Sequence, residues 1–251
     1  MLQPLKDLAL KFLSPQIILK FLKKKHLRTG DPELRFIKDL IPAGTDAVDV
    51  GVYRGVYTSV MADNAGLVYA FEPHPHNYAF SKKALPKEKV KLFTEALSNK
   101  NGEAQLQIPV EYESAGSISK SFEGRKVHSF KVVTKKMDDF NFKNIGFMKI
   151  DAEGHEYEII DGARNTIAEN KPNLIVEIEQ RHISRPIQEV FDEIINMGYK
   201  GFYYFNGDIH PLSAFSWKEL QPTEFIGIHT NYVNNFMFIH NSRNVPFNVV
   251  Q

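Results

Sequence analysis

Cysteine is absent from the 251 residues, and its absence removes disulfides, a thiolate-ligated zinc site and a thiol nucleophile together. Long apolar runs are missing too. The longest near the N-terminus is Ile17 to Leu19, too short for a signal-peptide core or a membrane span, so a soluble, cytoplasmic protein is expected. Neither sign of charge dominates: 31 Lys and Arg stand against 30 Asp and Glu, for a net charge of +1. That balance argues against a nucleic-acid partner, which usually calls for a large basic excess. No internal repeat is evident. With 43% hydrophobic residues the chain can bury one large core, and one α/β domain with extensions is the simplest organisation.

The charge is unevenly spread. Residues 1–28 hold Lys6, Lys11, Lys20, Lys23, Lys24, Lys25 and Arg28 against Asp7 alone, a local +6 that leaves −5 for the remainder. Within this segment Leu2, Leu5, Leu8, Ala9, Phe12 and Leu13 recur at helical spacing, and Ser14-Pro15 opens a second amphipathic helix through about Lys25. Residues 1–45 therefore read as a helical extension. Two roles fit it: a helix packed on the domain with its lysines in water, or peripheral docking on the anionic inner face of a membrane.

From Asp46 to the end, short β-rich runs alternate with helical segments, the rhythm of a mostly parallel sheet covered on both faces. Strands are predicted near 47–51, 67–72, 90–97, 146–151, 173–179 and 200–205. Helices are predicted near 57–65, 75–84, 155–169 and 186–197. Alternation at Ala104, Leu106 and Ile108, and again at Phe130 to Val133, predicts an inserted hairpin over 101–133. Phe236 to Ile239 is a further strand. Placed antiparallel beside the sixth, it would give a seven-stranded Rossmann-like methyltransferase sheet rather than an all-parallel dinucleotide fold. The segment 206–232 and the hairpin are the variable parts expected to shape an acceptor site.

Two motifs carry chemistry. In Val48-Asp49-Val50-Gly51-Val52-Tyr53-Arg54-Gly55, a buried strand runs into a two-glycine turn that opens a helix, and Glu72 ends the next strand 21 positions after Gly51. A carboxylate there can accept both hydroxyls of a ribose. Tyr53 replaces the middle glycine that a dinucleotide pyrophosphate would want, which favours a nucleoside without a phosphate, such as S-adenosylmethionine. The second motif, Lys149-Ile150-Asp151-Ala152-Glu153-Gly154-His155-Glu156, delivers ionisable groups to the carboxyl edge of the sheet, where ligands bind in open α/β folds.

Together with Phe71-Glu72-Pro73-His74-Pro75, Glu95-Ala96-Leu97-Ser98, Met137-Asp138-Asp139-Phe140, Gly162-Ala163 and Pro172 to Glu177, these blocks resemble the FkbM family of S-adenosylmethionine-dependent methyltransferases over about Asp46 to Ile178. Val52-Tyr53 and Ala152 depart from that pattern, where Ala-Asn and Val are usual. The resemblance implies methylation of a hydroxyl on a sugar, glycan or related metabolite. It also implies that Asp49, Gly51 and Gly55 flank the amino acid part of the cofactor, with Val52, Tyr53, Tyr57 and Thr58 in the same loop and helix. Glu72 and Pro73 would lie at the ribose, the backbone of Ala96 and Leu97 at the adenine, and Asp151 would face the cleft.

A hydroxyl acceptor needs a base, and Asp151, Glu153, His155 and His182 are the candidates. Asp151 and Glu153 read equally as caps of the following helix. A divalent cation on Asp151, Glu177 and His182 is chemically reasonable, but no ligand pair at fixed helical spacing supports it, so no metal is assigned. Rival readings are a nicotinamide-dependent oxidoreductase, disfavoured by Tyr53 and by the lack of a Tyr-x-x-x-Lys pair after the fourth strand, and a cofactor-binding module without turnover.

Overall fold

A computed structural model describes residues 13–110, 116–119, 122, 124–226 and 232–250. The first expected helix, Leu2 to Phe12, lies outside these residues. The second forms as α1 (Pro15–Thr29), with Pro15 in its first turn, where a missing N–H costs nothing. A 3₁₀ turn (Pro32–Arg35) and α2 (Ile37–Leu40) lead into the sheet.

The alternating units are β1 (Asp46–Val50), α3 (Val56–Asn64), β2 (Val68–Phe71), α4 (Pro75–Ala84) and β3 (Val90–Phe93). They continue through β7 (Ile145–Ile150), β8 (Asn173–Glu177), α7 (Ile187–Asn196), β9 (Tyr199–Phe205), β10 (Asp208–Pro211) and β11 (Asn235–His240). The main sheet has eight strands in the order β10-β9-β11-β8-β7-β1-β2-β3. β1, β2, β3, β7 and β8 pair in parallel, and β11 runs antiparallel between β8 and β9. The expected insertion of the last strand is therefore present, but seven is the wrong count. A tight Asn206-Gly207 turn folds β10 back onto β9 and adds an eighth strand at the edge.

Two further expectations change. The single strand 90–97 divides, because after β3 the chain leaves the main sheet and β4 (Ala96–Leu97) pairs instead with β6 (Val127–Lys135). With β5 (Gly102–Pro109), these strands form a separate three-stranded sheet, the predicted insertion in enlarged form. The single helix 155–169 breaks into α5 (Glu156–Asp161) and α6 (Arg164–Asn170). Asp138 causes the break: its N–H donates to the Gly162 carbonyl (3.1 Å), and its carboxylate caps α6 by accepting from the N–H groups of Asn165 and Thr166 (3.1 and 2.8 Å).

The period of two along each strand divides the core. Val48, Val50, Met148, Ile150, Leu174 and Val176 face α5, α6 and α7, while Ala47, Ala70, Phe147 and Ile175 face α1, α2 and α3. Asp49 falls on the second face and lies opposite Lys149 in the β1–β7 register. The strands thus carry a polar pair into the interior beneath α3.

Candidate active site

The carboxyl ends of β1, β2 and β7 converge on two cavities that share Gly51, Tyr53 and Asp151 as a common wall. The first, of about 860 Å³, is lined on its apolar side by Phe71, Leu97, Leu106, Ile118 and Ile159. Glu72, His74, Asn77, Glu95, Glu153 and His155 supply its polar side. The second, of about 1320 Å³, lies between the sheet edge and α1, with Ile18, Leu22 and His26 on the helix side and Arg54, Tyr57 and Lys149 on the other.

Glu72 is held on both oxygens. Tyr53 donates its N–H to Oε2 (2.6 Å) and His74 donates its N–H to Oε1 (2.8 Å), so the carboxylate is fixed at the end of β2 and borders the first cavity. Burial pushes its pKa up to about 7, against the pull of those two amides. Each carboxylate oxygen keeps a lone-pair direction for a further donor.

Gly51 is required by a neighbouring backbone: at φ +84, a Cβ would stand 1.9 Å from the Asp151 carbonyl oxygen. Gly55 faces the Leu85 side chain rather than either cavity, so its φ of +76 is what demands glycine there. Asp49 and Thr58 line neither cavity as well; the Thr58 hydroxyl donates to Asp49 (2.5 Å) under the loop and anchors α3 to β1. Burial raises Asp49 to about 6 despite the nearby Lys149 charge and the Thr58 bond. Val52 and Tyr57 border the second cavity; Pro73, Ala96 and Leu97 border the first.

A cluster missed at the sequence level centres on Lys149. Its ammonium is buried, bonded to Asp151 (2.6 Å) and placed over the Tyr57 ring, 4.7 Å from the centroid. Burial alone would push its pKa down, but Asp151 and Asp49 outweigh that and hold the cation protonated. Asp151 also shares a hydrogen bond with Glu177, which accepts from Asn234 on its other side. Burial and the adjacent Asp151 charge drive Glu177 well above the ordinary carboxyl range. Asp151, although buried, is kept below it by Lys149 and by the Glu177 bond. The two carboxyls titrate as a pair, with Asp151 the more acidic member. The parity of the strands signalled this cluster: Asp49, Lys149, Asp151 and Glu177 fall on one face of three adjacent strands.

His155 borders the first cavity, but its ring is engaged on both sides. Nε2 pairs with the Ser98 hydroxyl (2.9 Å) and Nδ1 with that of Ser119, and burial lowers its pKa. His182 lies outside the cavity lining and pairs through Nδ1 with Glu153 (3.3 Å) and Glu179 (3.5 Å). The capping considered for Asp151 and Glu153 is not seen: α5 starts after His155 without a side-chain cap, and the buried Glu156 carboxylate reaches back to accept from the loop N–H groups of Ala152 (2.9 Å) and Gly154 (3.0 Å). Those bonds hold Glu153 in the left-handed region at φ +52, and Tyr53 in the facing loop has φ +50. Non-glycine residues held there store roughly 1–3 kcal/mol each, a cost that clusters at functional sites. No group of three or more His, Asp or Glu side chains among the described residues is arranged to hold a metal.

Residues 49–202 match the sequence profile of the methyltransferase FkbM domain. The chain belongs to the FkbM methyltransferase family. Methyl transfer is the reaction class of that family. Among solved structures, an FkbM methyltransferase from Methylobacillus flagellatus KT is 14% identical over 78% of this chain, with a TM-score of 0.49. The present chain spans 43% of that protein. An rRNA methylase from Streptococcus thermophilus is 11% identical over 82% of this chain and 92% of its own, with a TM-score of 0.45. A Streptococcus mutans protein solved in complex with SAH is 11% identical over 82% and 94%, with a TM-score of 0.43. No curated protein matches the chain.

The first cavity fits an adenosine in chemical character: a carboxylate locked by two backbone amides stands beside an apolar wall of Phe71, Leu97 and Ile159.

Proposed function

We propose that this FkbM methyltransferase transfers a methyl group to a hydroxyl oxygen of a sugar, glycan or related metabolite, with the cofactor in the first cavity and the acceptor in the second. The observation that carries the reading is the shared wall at Asp151, an ionised carboxylate reachable from both sides. Bound S-adenosylmethionine supplies a methyl group on an electrophilic sulfonium. Glu72 accepts the ribose hydroxyls, while Gly51 and Tyr53 border the methionine end. The protein's remaining work is alignment, which can contribute about 7–11 kcal/mol in the best oriented cases.

Asp151 accepts a hydrogen bond from the acceptor hydroxyl and aims its lone pair. Held low by Lys149, it is a weak base but a constant anion, which suits orientation. Lys149 faces the second cavity and stabilises negative charge that develops on the acceptor oxygen. Of the other candidate bases, His155 is the least suited, since both ring nitrogens are already engaged. Glu153, paired with His182, borders the first cavity and not the second, so Asp151 is the candidate that faces the acceptor.

Methyl transfer from labelled S-adenosylmethionine to a panel of glycosides and hydroxylated metabolites tests the reading. Methyl appearing on oxygen supports it, and methyl appearing only on nitrogen or carbon sinks it. Asp151→Asn is expected to lower turnover by ~10²-fold or more with cofactor affinity within a few fold. Unchanged turnover would remove Asp151 from the acceptor side.

A further inference from the structure

The inner face of α1 is used. Leu19 is buried, Leu22 packs on the core, and Lys23 donates to the Ser59 carbonyl (3.0 Å) and pairs with Asp63. Among the described residues, the outer face is left exposed. Ile17 is 43% exposed and Phe21 61%, and Lys20, Lys24, Lys25 and Arg28 are exposed around them. Ile17, Phe21, Lys24 and Arg28 follow at spacings of four, three and four, so they form one stripe along the helix. No carboxylate interrupts it, because Pro15–Thr29 contains neither Asp nor Glu.

The basic surface continues onto α4. Gln16 donates to the Lys83 carbonyl, and together with Tyr78, Lys82, Lys83 and Lys87 it lines a shallow groove beside α1. Seven exposed cations thus flank an aliphatic and an aromatic side chain. Asp63, beside the helix, is paired with Lys23.

We infer that this face docks the enzyme on an anionic lipid surface, with Phe21 and Ile17 entering the interface and the lysines and Arg28 meeting lipid phosphates. A nucleic acid would match the charge but leave the two apolar side chains in water, whereas a lipid interface takes both. The inference does not depend on which group is methylated. Its consequence for the site is direct, since the opposite side of the same helix walls the second cavity. An acceptor carried on a lipid would meet the enzyme at that helix.

Co-sedimentation of the full chain with vesicles of equal parts phosphatidylcholine and phosphatidylglycerol, against phosphatidylcholine alone, tests it at low and physiological salt. Because Lys23 is occupied by Asp63, the informative charge variant is Lys20→Gln with Lys24→Gln and Lys25→Gln. Each exposed cation near the surface is worth about fivefold in partitioning, so this triple variant is expected to bind at least ~tenfold more weakly. Phe21→Ser is expected to weaken binding at both salt concentrations. Calorimetry with S-adenosylmethionine serves as the control for folding, and both variants should bind it like the parent. Absence of binding to anionic vesicles at low salt overturns the inference, as does binding that both variants retain. Preferential binding of an RNA duplex, unaffected by Phe21→Ser, would replace the lipid with nucleic acid.

Discussion

Glu72 shows how one side chain can join two loops and still border a cavity. Its two amide bonds join the loop after β1 to the start of α4, and its remaining lone pairs border the first cavity. On the proposed reading, in which the cofactor ribose donates to ionised Glu72, burial that has raised the group to about 7 makes the ribose displace a proton at lower pH. Cofactor affinity is therefore expected to fall as pH drops below about 7, by up to ~tenfold per unit, because a proton and the ribose compete for the same carboxylate. Isothermal titration across that range measures the slope, and Glu72→Gln should flatten it. A slope that survives in Glu72→Gln would place the titrating group elsewhere.

At the scale of elements, one tertiary contact sets the mouth of the cleft and another starts a helix. The segment Gly116 to Ser119 is tied to the loop after β7: the Ser117 hydroxyl donates to the Glu153 carbonyl (2.9 Å), and Ser119 meets the His155 ring. Gly116 and Ile118 thereby become cavity wall. The other contact is the Asp138 cap that starts α6. An N-cap carboxylate contributes about 0.5–2 kcal/mol, so Asp138→Ala should lower stability in urea by that amount. Its effect on cofactor affinity should be slight, because Asp138 borders neither cavity. A large loss of affinity with intact stability would mean that the cap positions the site rather than the helix.

Over the whole molecule, buried carboxyls with raised pKa values set the response to pH. Glu33 is pushed by burial to about 8, Glu72 and Glu156 to about 7 and Asp49 to about 6. Each binds its proton more tightly when folded, so the stabilisation it lends is complete below the unfolded value and is lost as pH rises through the folded one. Glu177, also raised, acts with them, while His155 and His240, both lowered chiefly by burial, act in the opposite sense. The raised carboxyls outnumber the lowered imidazoles over this range. Thermal stability is expected to be higher near pH 5.5 than near pH 8, in line with proton linkage. Glu33 lies on the 3₁₀ turn away from both cavities, so Glu33→Gln should reduce the fall without touching activity. A melting temperature that rises from pH 5.5 to 8 would refute this balance.

Local chemistry determined what was legible from the residues alone. Period-two and helical apolar patterns placed β1, β2, β7, β8, β9, α3, α4 and α7 within a residue or two for most bounds, since each reports the surface its own segment buries. The Gly51 turn, Glu72 and the Asp151 block were visible because a strand end fixes which residues reach the sheet edge. Pairings between distant segments were not. Only the tertiary structure decided that β11 inserts between β8 and β9, that β10 adds an eighth strand, and that Asp138 breaks a helix apparent from sequence. It likewise gathered Lys149, Asp151 and Glu177 into one buried cluster and took both nitrogens of His155 for two serines. Each of these depends on which neighbour a strand or loop meets, and that neighbour is chosen by packing across the molecule rather than by the residues on either side.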